Sequence, residues 1–266
     1  MKLREKLQGI VPDDCLLKLT NRFHIVGDLA ILALPDDVGE YKEKIAQGVL
    51  SQDKSIRLVL NKTTKLEGEK RVAGFEVIAG SGSTVTEHLE YGFVYCLDVM
   101  RVFYSSRLGY ERARVAAQVN RGELVLVPFA GVGPFVVPAA ARGARIVALE
   151  KSREACGWLA LNAGKNRVSE NIAIINADAA TSPTMLKKTF DRAIIPAPYG
   201  MDRILEIVSR KVKTGGRVHF YTFKKRHQIE GLLDSYKDMG LEVEHFRRCG
   251  NVAPGVSRWA FDMTKL

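Results

Sequence analysis

The chain has 266 residues, 46% of them hydrophobic, and 40 Lys and Arg against 30 Asp and Glu give it a formal net charge of +10. That length and apolar content exclude wholesale disorder and suit a small domain joined to a larger one, while no apolar run approaches the roughly 18–20 residues that cross a bilayer. Met1 to Lys6 lead into no apolar signal segment, and Cys15, Cys96, Cys156 and Cys249 stand singly, so no membrane, disulfide framework or metal is expected, a reducing cytoplasm fits, and the basic excess points to a polyanionic partner.

Up to about residue 100, short apolar runs are broken by glycine. Residues 1–20 read as an N-terminal extension and residues 21–100 as a small α+β domain on the substrate side. Arg22 to Val26, the turn Gly27-Asp28, and Leu29 to Leu34 predict two strands. Pro35-Asp36-Asp37 starts a helix through about Leu50, with Val38, Tyr41, Ile45 and Val49 at helical spacing. Ile56 to Leu60, Arg71 to Ile78, Thr84 to Leu89 and Phe93 to Leu97 are further strands, mostly antiparallel.

Residues 101–266 change to strand–helix alternation. The strands are Leu124 to Val127, Ile146 to Leu149, Ile172 to Ile175, Ala193 to Ile195 and Val218 to Tyr221. Helical periodicity fills Phe135 to Ala141, Glu154 to Asn166, Met201 to Val212 and His227 to Met239. Such alternation predicts an α/β, Rossmann-like, mostly parallel sheet. Leu241 to Arg247, a Gly/Asn/Pro loop from Gly250 to Gly255, and Ser257 to Met263 then predict an antiparallel C-terminal hairpin.

Phe129-Ala130-Gly131-Val132-Gly133-Pro134-Phe135 follows the first strand of that sheet and opens a helix. Glycines there allow a tight turn and a close backbone approach to a ligand. Val136 occupies the third glycine position of the dinucleotide fingerprint, so the glycines alone fit a plain strand-to-helix turn as well. Glu150 ends the next strand, where an acid can hydrogen-bond a ribose, and Asp178 follows the third, where one can accept from an adenine amine. Together these residues favour an adenosine cofactor with no diphosphate, and with the terminal hairpin S-adenosylmethionine over a nicotinamide dinucleotide. Pro196-Ala197-Pro198-Tyr199 forms a rigid loop at the fourth strand's end, with Tyr199 able either to stack on a base or to lie on the surface.

From about Phe23 onward the chain resembles the archaeal and eukaryotic tRNA guanine-N1 methyltransferases that act beside the anticodon, and their aminocarboxypropyl-transferring sisters of the wybutosine pathway. The similarity is strongest in Lys65 to Val72, Phe103 to Arg112, Phe129 to Phe135, and His219-Phe220-Tyr221-Thr222. The resemblance that these residues carry implies a class I S-adenosylmethionine-dependent methyltransferase domain preceded by the small α+β domain. It implies methyl transfer to guanine N1, with Glu111 as the general base and Arg71 stabilising charge on O6. It also implies that Phe129, Arg107 and Pro196 join Gly131, Gly133, Glu150 and Asp178 at the cofactor, and that Pro198 and Tyr199 face the substrate. Arg107 and the Gly-Pro-Phe ending match the methyl-transferring branch.

Three positions depart from the family pattern. Pro196-Ala197-Pro198 replaces Asn-Leu-Pro, Val127 replaces an acid ahead of the Phe-Ala-Gly string, and only about 20 residues precede the second domain of the longer archaeal members. The expected partner is tRNA, and the expected state a monomer. The basic clusters Lys187-Lys188, Lys224 to His227 and Arg247-Arg248 agree with RNA, though each alone also suits helix-end charge. Aminocarboxypropyl transfer, methylation of a non-tRNA substrate, and a silent binding protein are the competing readings.

Overall fold

The computed structural model describes residues 3–19, 23–64, 73–181 and 186–266. The chain divides into two compact units, Met1–Ser106 and Arg107–Leu266.

In the first unit, β1 (His24–Val26) and β2 (Leu29–Leu32) form a two-residue hairpin around Gly27-Asp28. The predicted helix after it splits into a 3-10 stretch, Asp36–Tyr41, and α3 (Lys42–Gln52). Ahead of these lie α1 (Leu3–Leu7) and α2 (Asp13–Lys18). The sheet continues with β3 (Leu58–Lys62) and β4 (Phe75–Gly80) in the order β1-β2-β3-β4. β2 and β3 pair in parallel because α3 carries the chain back to the starting edge, while β1 with β2, β3 with β4 and the later hairpin pair antiparallel. β5 (Val85–Glu90) and β6 (Phe93–Asp98) make a separate hairpin.

Residues 3–19 are not an appendage. Leu3, Leu7, Val11, Cys15, Leu16 and Leu19 are buried in one core with Val38, Ile45, Val49 and Val59. Their spacing places one apolar side of each short helix against α3, and burial of apolar area holds them there.

The second unit opens with α4 (Gly109–Ala117) and then alternates β7 (Leu124–Pro128), α5 (Val136–Ala141), β8 (Arg145–Glu150), α6 (Arg153–Lys165) and β9 (Ile172–Asn176). β10 (Phe190–Ile195), α7 (Ile204–Ser209), β11 (Val212–Lys224), α8 (Ile229–Asp238), β12 (Leu241–Ala253) and β13 (Val256–Lys265) complete it. The order β12-β13-β11-β10-β7-β8-β9 is parallel from β11 to β9, with β13 antiparallel to β11 and β12 antiparallel to β13. Central strands buried on both faces explain the continuous apolar runs: Val125, Leu126 and Val127 are fully buried, as are Ala193, Ile194 and Ile195. The helix expected over Met201 to Val212 is shorter than its periodicity, because Val212 already pairs with Phe190 as a strand residue.

Chain order reverses between β7 and β10, so the crevice of this sheet lies at their carboxyl ends. Among the described residues no helix is long and apolar enough to cross a membrane.

Candidate active site

The glycine loop leaves β7 through left-handed backbone at Phe129 (φ 55°), Gly131 (φ 55°) and Gly133 (φ 95°). A non-glycine residue in that region is uncommon and marks a constrained turn. The loop is held by Ala130 N–H donating to Leu149 O at 3.0 Å and by the buried Asn162 amide donating to Val132 O at 2.9 Å. Glu150, at the end of β8, accepts from Gly131 N–H through Oε2 and from Ser152 N–H through Oε1, both at 2.8 Å. Each oxygen therefore spends one lone pair on the backbone and keeps capacity for a ribose hydroxyl. A β-carbon built at Gly131 meets nothing within 4 Å, so open space fronts the loop beside that carboxylate.

Asp178 lies on the next strand end, half-buried. It accepts from Ala180 N–H at 2.8 Å and faces Lys151 Nζ at 3.4 Å, and these, the Ala180 bond first, hold its carboxyl below the usual range. Ala177 N–H donating to Glu150 O at 3.0 Å ties the two acid-bearing loops together. Gly131, Glu150 and Asp178 thus converge as their spacing predicts, and this set fits an adenosyl group.

On the other side of the crevice, Pro196 and Pro198 are half-buried around buried Ala197, and Pro198 O accepts from Met201 N–H at 3.1 Å. Tyr199 is exposed, its ring 5.6 Å from that of Phe223 on β11. Arg107 is exposed in a 3-10 turn, Ser106–Leu108, just ahead of α4. Arg71 lies outside the described residues.

Glu111, in the first turn of α4, is 2% exposed. Its Oε2 accepts from Arg114 Nε at 3.1 Å and Nη2 at 2.9 Å, and from the Tyr221 hydroxyl at 3.1 Å. Its Oε1 accepts no hydrogen bond among the described residues and has Arg247 Nε 3.3 Å away. The Tyr221 ring packs 5.2 Å from Phe135, the last residue of the glycine string, so Glu111 is connected to the glycine loop through one side chain.

Behind Glu111 runs a buried chain of charges that the sequence reading did not assign. Arg114 also donates to Asp262 on β13, Asp262 bonds His219 Nδ1 at 2.8 Å, and His219 Nε2 faces Arg192 Nη1 at 2.7 Å. Arg192 ends on Glu123 at 2.7 Å. Burial lowers the His219 pKa, and although Asp262 pulls the other way, the net shift is downward, so the ring is neutral. Arg192 can only donate, so the proton sits on Nδ1 and is given to Asp262. Burial alone would raise the Asp262 carboxyl, but the bonds from His219 and Arg114 outweigh it and hold the group far below its usual range. Arg114 was legible in part, since it stands three residues after Glu111 on one helix face. Asp262 carried no signal, lying in the last strand 148 residues away from its arginine.

This sheet order, glycine loop and acidic strand ends define the class of S-adenosylmethionine-dependent methyltransferases. Residues 86–241 match the TRM5/TYW2 methyltransferase domain, and residues 3–84 the TYW2 N-terminal domain. The chain is 32% identical over 239 residues to the tRNA (guanine(37)-N(1))-methyltransferase Trm5b of Pyrococcus abyssi, covering 88% of this chain and 71% of that protein. It is 28% identical over 270 residues to the tRNA(Phe) (4-demethylwyosine(37)-C(7)) aminocarboxypropyltransferase of Pyrococcus horikoshii, covering 98% and 95%. Relatives from zebrafish and Trichomonas vaginalis are longer, the chain spanning 36% and 48% of them. Among solved structures, aTrm5 in complex with tRNALeu superposes with a TM-score of 0.89 at 27% identity, over 100% of this chain and 78% of that one. The chain belongs to the TRM5/TYW2 methyltransferase family.

Proposed function

We propose that the protein methylates N1 of a guanine beside the anticodon of tRNA. The observation that carries this reading is Glu111: a buried carboxylate anchored through one oxygen, connected by Tyr221 and Phe135 to the glycine loop, with its other oxygen accepting no hydrogen bond among the described residues. Guanine N1 is protonated at neutral pH, so its reaction as a nucleophile needs a positioned acceptor for that proton. When bound, S-adenosylmethionine supplies a methyl carbon made electrophilic by its sulfonium. Gly131, Gly133, Glu150 and Asp178 hold the adenosyl moiety, with Phe129, Arg107 and Pro196 lining it. Glu111 takes the N1 proton on Oε1 while Arg114 and Tyr221 fix Oε2. Arg71 stabilises the negative charge that develops on O6, and Pro198 and Tyr199 flank the base once it has left its stack.

Glu111→Gln keeps the shape and removes the proton acceptor. General-base catalysis contributes about 10²–10⁴-fold, so kcat should fall by that factor while calorimetric affinity for S-adenosylmethionine stays unchanged. Parallel loss of both would remove Glu111 from its assigned role.

A second reading, aminocarboxypropyl transfer to a modified guanosine, is favoured by the near full-length match to the Pyrococcus horikoshii transferase and by the match of residues 3–84 to the TYW2 N-terminal domain. Cofactor labelled separately on the methyl and on the aminocarboxypropyl group, incubated with tRNA, separates the two by which label enters RNA.

A further inference from the structure

Two of the basic clusters visible in the sequence, Lys224 to His227 and Arg247-Arg248, meet in space. β11 pairs Lys224 with Ser257, and β12 pairs Arg248 with Trp259 and Asn251 with Ser257. Because β13 runs antiparallel to β11, its first residues lie beside the last ones of β11, at the carboxyl edge that also holds the cofactor crevice. There Arg226, Arg248, Asn251, Gly255, Ser257 and Trp259 line a cavity of about 630 Å³.

The cavity is built to receive negative charge. Trp259 is buried, and its Nε1 donates to Lys224 O at 3.2 Å, which fixes the indole. The Arg226 guanidinium lies over that ring, 5.5 Å from its centroid, so its plane is held by the stack. Both Arg226 and Arg248 are exposed, and neither forms an ion pair with a carboxylate among the described residues. The Ser257 hydroxyl donates to Asn251 Oδ1 at 2.9 Å, which orients the Asn251 amide and leaves its N–H groups for a ligand.

We propose that this cavity is a phosphodiester subsite that grips the RNA strand flanking the target nucleotide. The inference rests on the RNA-modifying reading, because a strand whose base enters the crevice must continue along the same sheet edge. Two forked guanidiniums and an amide suit phosphate oxygens, which accept bidentate hydrogen bonds. The indole is covered by Arg226 and is not a free stacking platform, so the backbone rather than a base is the group recognised.

The test uses the full chain and a transcribed tRNA with guanosine 3′ of the anticodon. Arg226→Ala, Arg248→Ala and the double variant are compared with wild type in RNA binding across salt concentrations and in steady-state transfer of labelled methyl. Each phosphate contact to a single strand contributes about 0.7 to the slope of log K against log salt, so the double variant should lose about 1.4. RNA Kd and KM should rise roughly 10- to 100-fold, with the effect on KM rather than kcat, while S-adenosylmethionine affinity shows that the fold is intact. Arg226→Lys, which keeps the charge but not the fork, should fall between wild type and Arg226→Ala. Wild-type slope and KM in an active double variant overturn the subsite alone. Absence of label transfer by wild type overturns the functional reading, and the binding slopes then decide the subsite separately. Absence of RNA binding by wild type, or variant-sensitive binding of an acidic peptide but not RNA, overturns the subsite as well.

Discussion

Gly131 and Gly133 sit two residues apart in one loop, yet the structure gives them different reasons to lack a side chain. At Gly133 a β-carbon would lie 2.3 Å from Leu159 Cδ1 and 3.4 Å from Val137 Cγ2, on backbone with φ 95°. Leu159 is fully buried, so it has no open direction in which to yield. Left-handed backbone costs an L-residue about 1–2 kcal/mol and overpacking a core about 1–3 kcal/mol, so Gly133→Ala should lose about 2–5 kcal/mol of stability. Gly131→Ala meets no atom within 4 Å and bears only the left-handed cost, about 1–2 kcal/mol. On the proposed reading its methyl instead enters the space beside Glu150 that the cofactor would occupy. Urea denaturation should rank Gly133→Ala as the less stable variant. Calorimetric titration with S-adenosylmethionine should show Gly131→Ala weakened at least tenfold, about 1.4 kcal/mol. Wild-type affinity in Gly131→Ala would refute the placement of the cofactor at this loop.

Asp262→Asn breaks a buried carboxylate away from Arg114 and His219, and should cost about 3–5 kcal/mol in urea denaturation at pH 7. The native Asp262 pKa is depressed, so its contribution is fully present above the unfolded value of about 3.9 and is lost as pH falls toward the native one. The stability gap between wild type and Asp262→Asn should therefore narrow below about pH 4, and a gap that widens there would contradict the assigned charge. Cys249 is a second check: burial pushes its thiol up to about 12, so at pH 8 alkylation in the native protein should be about a thousandfold slower than after unfolding. Mass-spectrometric labelling at the unfolded rate would show the site to be open.

The parallel sheet was legible because its strands are buried on both faces and read as unbroken apolar runs such as Leu124 to Val127. The glycine loop and Glu150 were legible from spacing, because parallel strands deliver their carboxyl ends to one edge whatever the intervening helices contain. The short helices at the N-terminus were not: five or six residues carry too little periodicity to reveal that Leu3, Leu7 and Leu16 join a core. The hairpin was found, but its loop was drawn too long. Asn251 and Ala253 are strand residues, and only Pro254 and Gly255 make the turn. The charged chain behind Glu111 was invisible for a different reason, since it is assembled from α4, β10, β11 and β13, and no local pattern records which buried arginine meets which acid.

That chain bears directly on how Glu111 works. Three carboxylates (Glu123, Asp262 and Glu111) alternate with Arg192, Arg114 and Arg247 around a neutral histidine, so the charges along this chain balance. Buried ion pairs add little net stability because desolvation offsets their attraction. What this arrangement does supply is a fixed orientation: Asp262 and Glu111 share Arg114, which cannot turn toward one without loosening its grip on the other. Glu111 has a guanidinium on each side. Of the two, Arg114 has 15% of its side chain exposed and is held by both acids, whereas Arg247 has 38% exposed and stacks on the exposed ring of Tyr110 at 4.7 Å. Arg247 is thus the partner that an arriving polyanion can draw away. Its departure would take from Oε1, the oxygen assigned to receive the proton, the one cation paired with it among the described residues, while Oε2 stayed anchored. On the proposed reading, Oε1 is left open to receive the N1 proton once the anionic substrate has drawn Arg247 away.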